Sequence, residues 1–171
     1  MNDRQLCLIA SCGLVVGALF GMAGAVVAST SLRGILWGID GTALIIAAAL
    51  LTIHHARRGN DMVAAGFLVF VAGESLIVVG VPMDLRASVP FFGAGSGLWA
   101  ASLILVSLPS VMPFWMRITG IIGALLFAVV AAQIYTGQML NPLSEPLPFY
   151  AYPFLALTLF GWAWVHYKKT P

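Results

Sequence analysis

Charge is what this sequence has least of: 8% of its 171 residues are Asp, Glu, Lys or Arg, while 61% are hydrophobic. A soluble domain of this length needs about 25% charged residues to cover its surface. Here the outside must be apolar as well, which means lipid. Cysteine is also scarce, with only Cys7 and Cys12. Lying five residues apart in one apolar run, they point to different faces of a helix, so they do not pair with each other. A disulfide framework is thereby excluded, and C-x4-C alone is a weak metal signal. The short catalytic signatures are missing too: there is no H-E-x-x-H, C-x-x-C, G-x-S-x-G or Walker loop. The net charge of +2 is spread over loops with no basic run, which argues against a nucleic-acid partner. The pairs Arg57–Arg58 and Lys168–Lys169 read as topology signals and headgroup anchors.

What the chain has in abundance is long apolar runs. A helix needs about 20 apolar residues to cross a hydrocarbon core of about 30 Å, and the sequence supplies that quantity about six times. The expected helices cover 6–28, 33–53, 62–80, 90–108, 115–136 and 147–167. Sheets with open edges have no partner for their backbone in lipid, and a barrel would show short alternating segments instead. The fold expected is therefore all-α, a single polytopic transmembrane bundle of about six helices. The first run ends in Val26-Val27-Ala28 and resembles a signal peptide, but at about 23 residues it exceeds an ordinary h-region and reads as a retained first helix.

Arginine and lysine set the orientation. With the amino terminus inside and six spans, Arg4, Arg57, Arg58, Arg117, Lys168 and Lys169 collect on the inner side, and only Arg33 and Arg86 on the outer. This N-in/C-in arrangement follows the positive-inside rule and points to a bacterial-type cytoplasmic (inner) membrane, crossed several times. Trp115, Trp164 and Tyr167 then mark the inner interface, and Trp37, Tyr150 and Tyr152 the outer. Small residues at four-residue spacing occur as Gly13-Gly17-Gly21, Gly34-Gly38-Thr42 and Gly93-Gly97-Ala101. Such rows let helices approach closely, within one chain or in a homo-oligomer. Leu36-Trp37 and Leu98-Trp99 form a faint repeat that would relate helices 2–3 to helices 4–5.

Two carboxylates stand inside apolar runs, Asp40 in the second and Glu74 in the third. An ionisable group within a span costs about 2.5–3.5 kcal/mol on insertion scales, so each marks a functional candidate. Asp40 precedes Arg57 by 17 residues and Glu74 follows it by 17. In an antiparallel hairpin centred on that loop, equal rise per residue places them at one depth. Arg33, Arg86, Ser96, Gln133, Tyr150 and Tyr152 fall in the same outer half. On one reading the acids cap or bridge helices, paired with Arg33, Arg86 or Gln133, or are simply protonated. On the other they form an outward-facing acidic pocket that takes a small solute, a cation or a proton. Two close carboxylates in a low dielectric do not both ionise easily and would share a proton. No nucleophile or metal motif accompanies them, so enzymatic chemistry is the weaker expectation.

Histidine supplies the second constellation. His54 and His55 end the second apolar run and His166 ends the sixth. At a membrane edge they read as polar flanks. The alternative is ligation of haem or a transition metal by imidazoles from two helices, and no cofactor is otherwise indicated. Besides the pocket and the haem or metal site, the remaining expectation is an accessory or scaffolding subunit without chemistry of its own.

Overall fold

The computed structural model describes residues 2–168, which form six helices and no strands. They are α1 (Asp3–Val26), α2 (Thr30–Arg57), α3 (Asp61–Gly80), α4 (Leu85–Ser107), α5 (Phe114–Tyr135) and α6 (Tyr152–Lys168). Lys169, one of the six inner charges, lies outside the described residues. The first five helices are long and apolar enough to cross a membrane. With 17 residues, α6 is about 25 Å long at 1.5 Å per residue, a little short of the hydrocarbon thickness.

Capping chemistry explains the helix starts. Asn2 and Gln5 form a reciprocal capping box on α1, the Asn2 side chain accepting from the Gln5 N–H at 2.9 Å. Ser29 caps α2, and Asp84 caps α4 by accepting from the Ala87 N–H at 3.0 Å. These caps start α2 and α4 three and five residues earlier than the apolar runs suggest, and Pro90 therefore lies inside α4 rather than at its start. Two arginines close helix ends. Arg33 donates to the carbonyls of Gly24 (3.2 Å) and Val27 (2.6 Å) at the end of α1, and Arg117 to those of Ser107 and Leu108 (both 2.8 Å) at the end of α4. Two of the carbonyls left open at the carboxyl end of each of these helices are thus satisfied by a side chain.

Each helix packs on its neighbours in sequence, and α6 closes back on α1, so the six form a ring. Close approach carries the α1–α2 seam. A Cβ on Gly13 would stand 2.9 Å from the Ala43 carbonyl oxygen, and one on Gly17 would collide with Leu44. Gly93 and Gly97 face Ile134 and Ala131 across the α4–α5 seam. Two of the three small-residue rows are therefore used within the chain, where packing rather than water drives association. The third, Gly34-Gly38-Thr42, is not: nothing lies within 4 Å of a Cβ on Gly34 or Gly38. At the ring closure the Ser11 hydroxyl donates to the Ala163 carbonyl at 2.9 Å.

The inside of the ring is filled unevenly. At mid-depth Phe67, Phe70, Trp99, Phe127 and Trp162 pack in edge and stacked contacts, with centroids 4.9 Å apart for Phe67–Trp162 and 5.1 Å for Trp99–Phe127. Toward the end that carries the α1–α2, α3–α4 and α5–α6 connections, the packing gives way to a cavity. The α5–α6 connection, residues 136–151, lies over it. It contains Pro142, Pro146 and Pro148 and is built of turns, so α6 starts at Tyr152, five residues later than the apolar run suggests. Its own hydrogen bonds shape it: Leu143 N–H to Asn141 Oδ1 (2.8 Å), Phe149 N–H to the Ser144 carbonyl (3.1 Å) and Ala151 N–H to the Pro148 carbonyl (2.8 Å).

Candidate functional site, an acidic cavity inside the helix ring

The cavity holds about 500 Å³, within the range of small-molecule sites. It is lined from Thr30 and Arg33 at the start of α2 down to Asp40, Glu74, Trp99 and Phe127. Asp40 lies about 15 Å along α2 from its first residue at 1.5 Å per residue. Both carboxylates expected from the sequence therefore line one space, and both are buried, Asp40 at 7% and Glu74 at 2% exposure.

Their surroundings follow from the helices that carry them. Gly41, beside Asp40, lets α2 and α3 close on each other; a Cβ there would meet Val78 and stand 3.1 Å from Glu74 Oε1. Gly21 of α1 makes room for Asp40 from the other side, since a Cβ there would be 2.7 Å from Asp40 Oδ2 and would collide with the Tyr152 hydroxyl. The Trp99 indole N–H donates to Glu74 Oε2 at 3.0 Å. The Tyr152 hydroxyl donates to Asp40 Oδ2 at a long 3.5 Å. Asp40 Oδ1 has no hydrogen-bond partner among the described residues. No ion pair to either acid is present among them; the salt bridges there all involve Asp3.

The other residues expected at this site divide. Tyr152 and Arg33 line the cavity, but the Arg33 guanidinium is committed to the carbonyls of α1 and lies 5.8 Å from the Trp37 ring, so it does not pair with Asp40. Helix ends leave carbonyls unsatisfied close to Arg33, whereas Asp40 is about 10 Å further along the helix. Arg86 is exposed in the first turn of α4, which Asp84 starts just before it. Tyr150 is 55% exposed and packs edge-on against Phe149 rather than into the cavity. Gln133 is half-buried away from the cavity; it follows Phe127, which does line it, by six residues, or about 240° around α5. Ser96 is fully buried outside the lining, its hydroxyl without a partner among the described residues. Trp37 also lines the cavity, its N–H donating to the Gly21 carbonyl at 3.3 Å.

Sequence reasoning did not single out the aromatic wall, Trp99 above all. The faint Leu-Trp repeat was its one signal, and both tryptophans of that repeat line the cavity. Whether residues 137–146 reach the site was likewise illegible; Asn141, Pro142 and Leu143 line it.

At the opposite end the histidines are not the polar flanks expected. His54, His55 and His166 are buried at 2%, 3% and 1% exposure, because α2 continues past His54 and His55 to Arg57 and the side chains of His55 and His166 meet inside the ring. His166 Nδ1 is 2.6 Å from the Trp162 carbonyl, which only accepts, so this nitrogen carries a proton. His55 Nε2 and His166 Nε2 are 2.9 Å apart, a direct hydrogen bond. At the tetrahedral angle two nitrogens each about 2.0–2.1 Å from a shared ion stand about 3.3–3.4 Å apart, so the pair as placed does not match a tetrahedral site. Among the described residues no group of three or more His, Cys, Asp or Glu is arranged to hold one. Cys7 is buried with its sulfur 3.5 Å from His54 Nδ1, while Cys12 is exposed, as their different helix faces require.

Fold and site together define a multi-pass helical membrane bundle with a buried acidic cavity inside its ring. No protein-family model matches the chain, and no curated protein or solved structure matches it significantly.

Proposed function

We propose that this chain is a small binding or transport module of a bacterial-type cytoplasmic membrane, with both ends of the bundle's chain on the cytoplasmic side and the cavity open to the outside. Its Asp40 and Glu74 receive a small solute, a cation or a proton entering between the connections. The observation that carries this reading is the pair of buried carboxylates at the floor of one cavity with no cationic side chain among the described residues to neutralise them. Acids that bridge helices would be paired with Arg33, Arg86 or Gln133, but Arg33 is used elsewhere and the other two do not line the cavity; acids kept simply protonated for packing are told apart from this reading by the variants below. Carboxylates left without a counter-charge in a low dielectric favour a positive partner from outside.

The test is the pair of isosteric variants Asp40→Asn and Glu74→Gln. Each is expected to weaken solute binding or proton coupling by about 10-fold to 100-fold, the range for a hydrogen bond to a charged group, while helicity and thermal unfolding stay near those of the parent. Loss of folding together with binding would make the acids structural and end the proposal.

A second reading, an accessory subunit that docks on another helix, is favoured by the uncovered Gly34-Gly38-Thr42 row on α2. It expects a dimer or a stable partner in lipid nanodiscs that Gly38→Leu abolishes. A monomeric mass for the parent would remove it.

A further inference from the structure

Resting on the pocket reading above, the nature of the cavity's lining narrows its ligand. We infer that the cavity takes a lipophilic organic ammonium: a protonated amine carried on an aromatic or alkyl body.

Four features lead there. The first is the acid pair: two buried carboxyl groups, able to share one proton, form the floor, and the guanidinium on the wall, that of Arg33, is occupied by the Gly24 and Val27 carbonyls. The second is the orphan acceptor. Asp40 is only 7% exposed, lines the cavity, and its Oδ1 has no partner among the described residues, which leaves a place for an N–H donor. The third is the wall. Trp37, Phe92, Trp99, Phe127 and Phe149 surround the space. Aromatic faces attract a cation and pack an apolar body, which a hydrated inorganic ion does not offer. The fourth is the mismatch with a bare metal ion. A hard cation asks for six or more oxygen ligands in a close shell. The floor supplies two carboxylates and one phenol in about 500 Å³, and no metal-binding group of three or more acids, His or Cys is formed among the described residues.

The ammonium has two conceivable sources, a free amine and the ethanolamine headgroup of a lipid whose tails stay outside, and one experiment separates them. The purified full chain is placed in nanodiscs of phosphatidylglycerol, which has no ammonium. Quenching of tryptophan fluorescence is then followed with phenylbutylamine, protonated at neutral pH, with its neutral isostere phenylbutanol, and with potassium chloride alone, empty discs being subtracted. The amine is expected to bind saturably, at least about tenfold tighter than the alcohol, and Asp40→Asn to remove about tenfold of that affinity. Glu74→Gln serves as the second variant should Asp40→Asn fail to fold. Repeating the titration in phosphatidylethanolamine discs assigns the source: weakened apparent binding marks the headgroup as the competing ammonium, and unchanged binding marks a free amine. Either of these supports the inference. Equal binding of amine and alcohol overturns it while leaving a solute pocket, as does a response to potassium alone. No saturable response to any of the three probes overturns the pocket reading itself.

Discussion

Replacing Trp162 by alanine is expected to remove about 3 kcal/mol of stability, seen as a lower unfolding midpoint in the same detergent. Trp162 is 1% exposed and holds the middle of the ring, edge-on to Phe67 at 4.9 Å and to Phe70 at 6.0 Å. In water-soluble cores a Trp→Ala change costs about 3–5 kcal/mol, part of it transfer and part the unfilled space. In a bilayer the transfer component shrinks, because lipid tails are as apolar as the core, whereas the lost van der Waals contacts remain. The lower end of that range is therefore the expectation. Trp162 also separates the two polar regions. Ring contacts run from His55 to Phe67, Trp162, Phe70 and Trp99, whose indole N–H meets Glu74. Trp162→Phe, which keeps an aromatic ring there, should retain most of the stability. An unchanged midpoint for the alanine variant would mean that the mid-depth ring is not the packed plug described here.

Gly21→Leu is expected to abolish binding in the cavity, and Gly21→Ala to reduce it at least about tenfold. The first atom of any side chain at this position would collide with the Tyr152 hydroxyl and stand 2.7 Å from Asp40 Oδ2 and 2.8 Å from Tyr152 Cζ. Alanine forces the phenol and the carboxylate apart. Leucine extends into the floor that a ligand would occupy. Overpacking of this kind costs about 1–3 kcal/mol of stability, so binding is to be measured on protein shown by circular dichroism to be folded. Gly38→Ala on the open face of α2, outside the cavity lining, is the control, with nothing within 4 Å of its new methyl group; stability there should stay within about 0.5 kcal/mol and binding should not change. Undiminished binding in folded Gly21→Leu would place the ligand elsewhere.

Which segments are helical, and that they belong in lipid, could be read from the chain because both are properties of local runs. Ends were harder, since they depend on a few polar atoms. Ser29 extends α2 at its start, and the prolines between 142 and 148 delay α6 until Tyr152. The late end of α2, at Arg57, is what carries His54 and His55 into the interior. Arg33 shows a different limit. Its spacing from Asp40 fits a shared helix face, yet its side chain turns to the carbonyls of α1, which only become neighbours once the α1–α2 hairpin is closed.

By itself the sequence determined that this is an all-α, membrane-type chain, that its two intramembrane acids share a depth, and that Cys7 and Cys12 do not pair. Each follows from run length, rise per residue or helix face. Only the tertiary structure decided that Asp40 and Glu74 open into one cavity, that Trp99 and Tyr152 are their partners and that three histidines meet in the interior. Those facts depend on how each helix is rotated about its axis and on the closing of α6 against α1. Rotation is set by which small residues let neighbours approach, a condition shared between distant parts of the chain and written in no single segment of it.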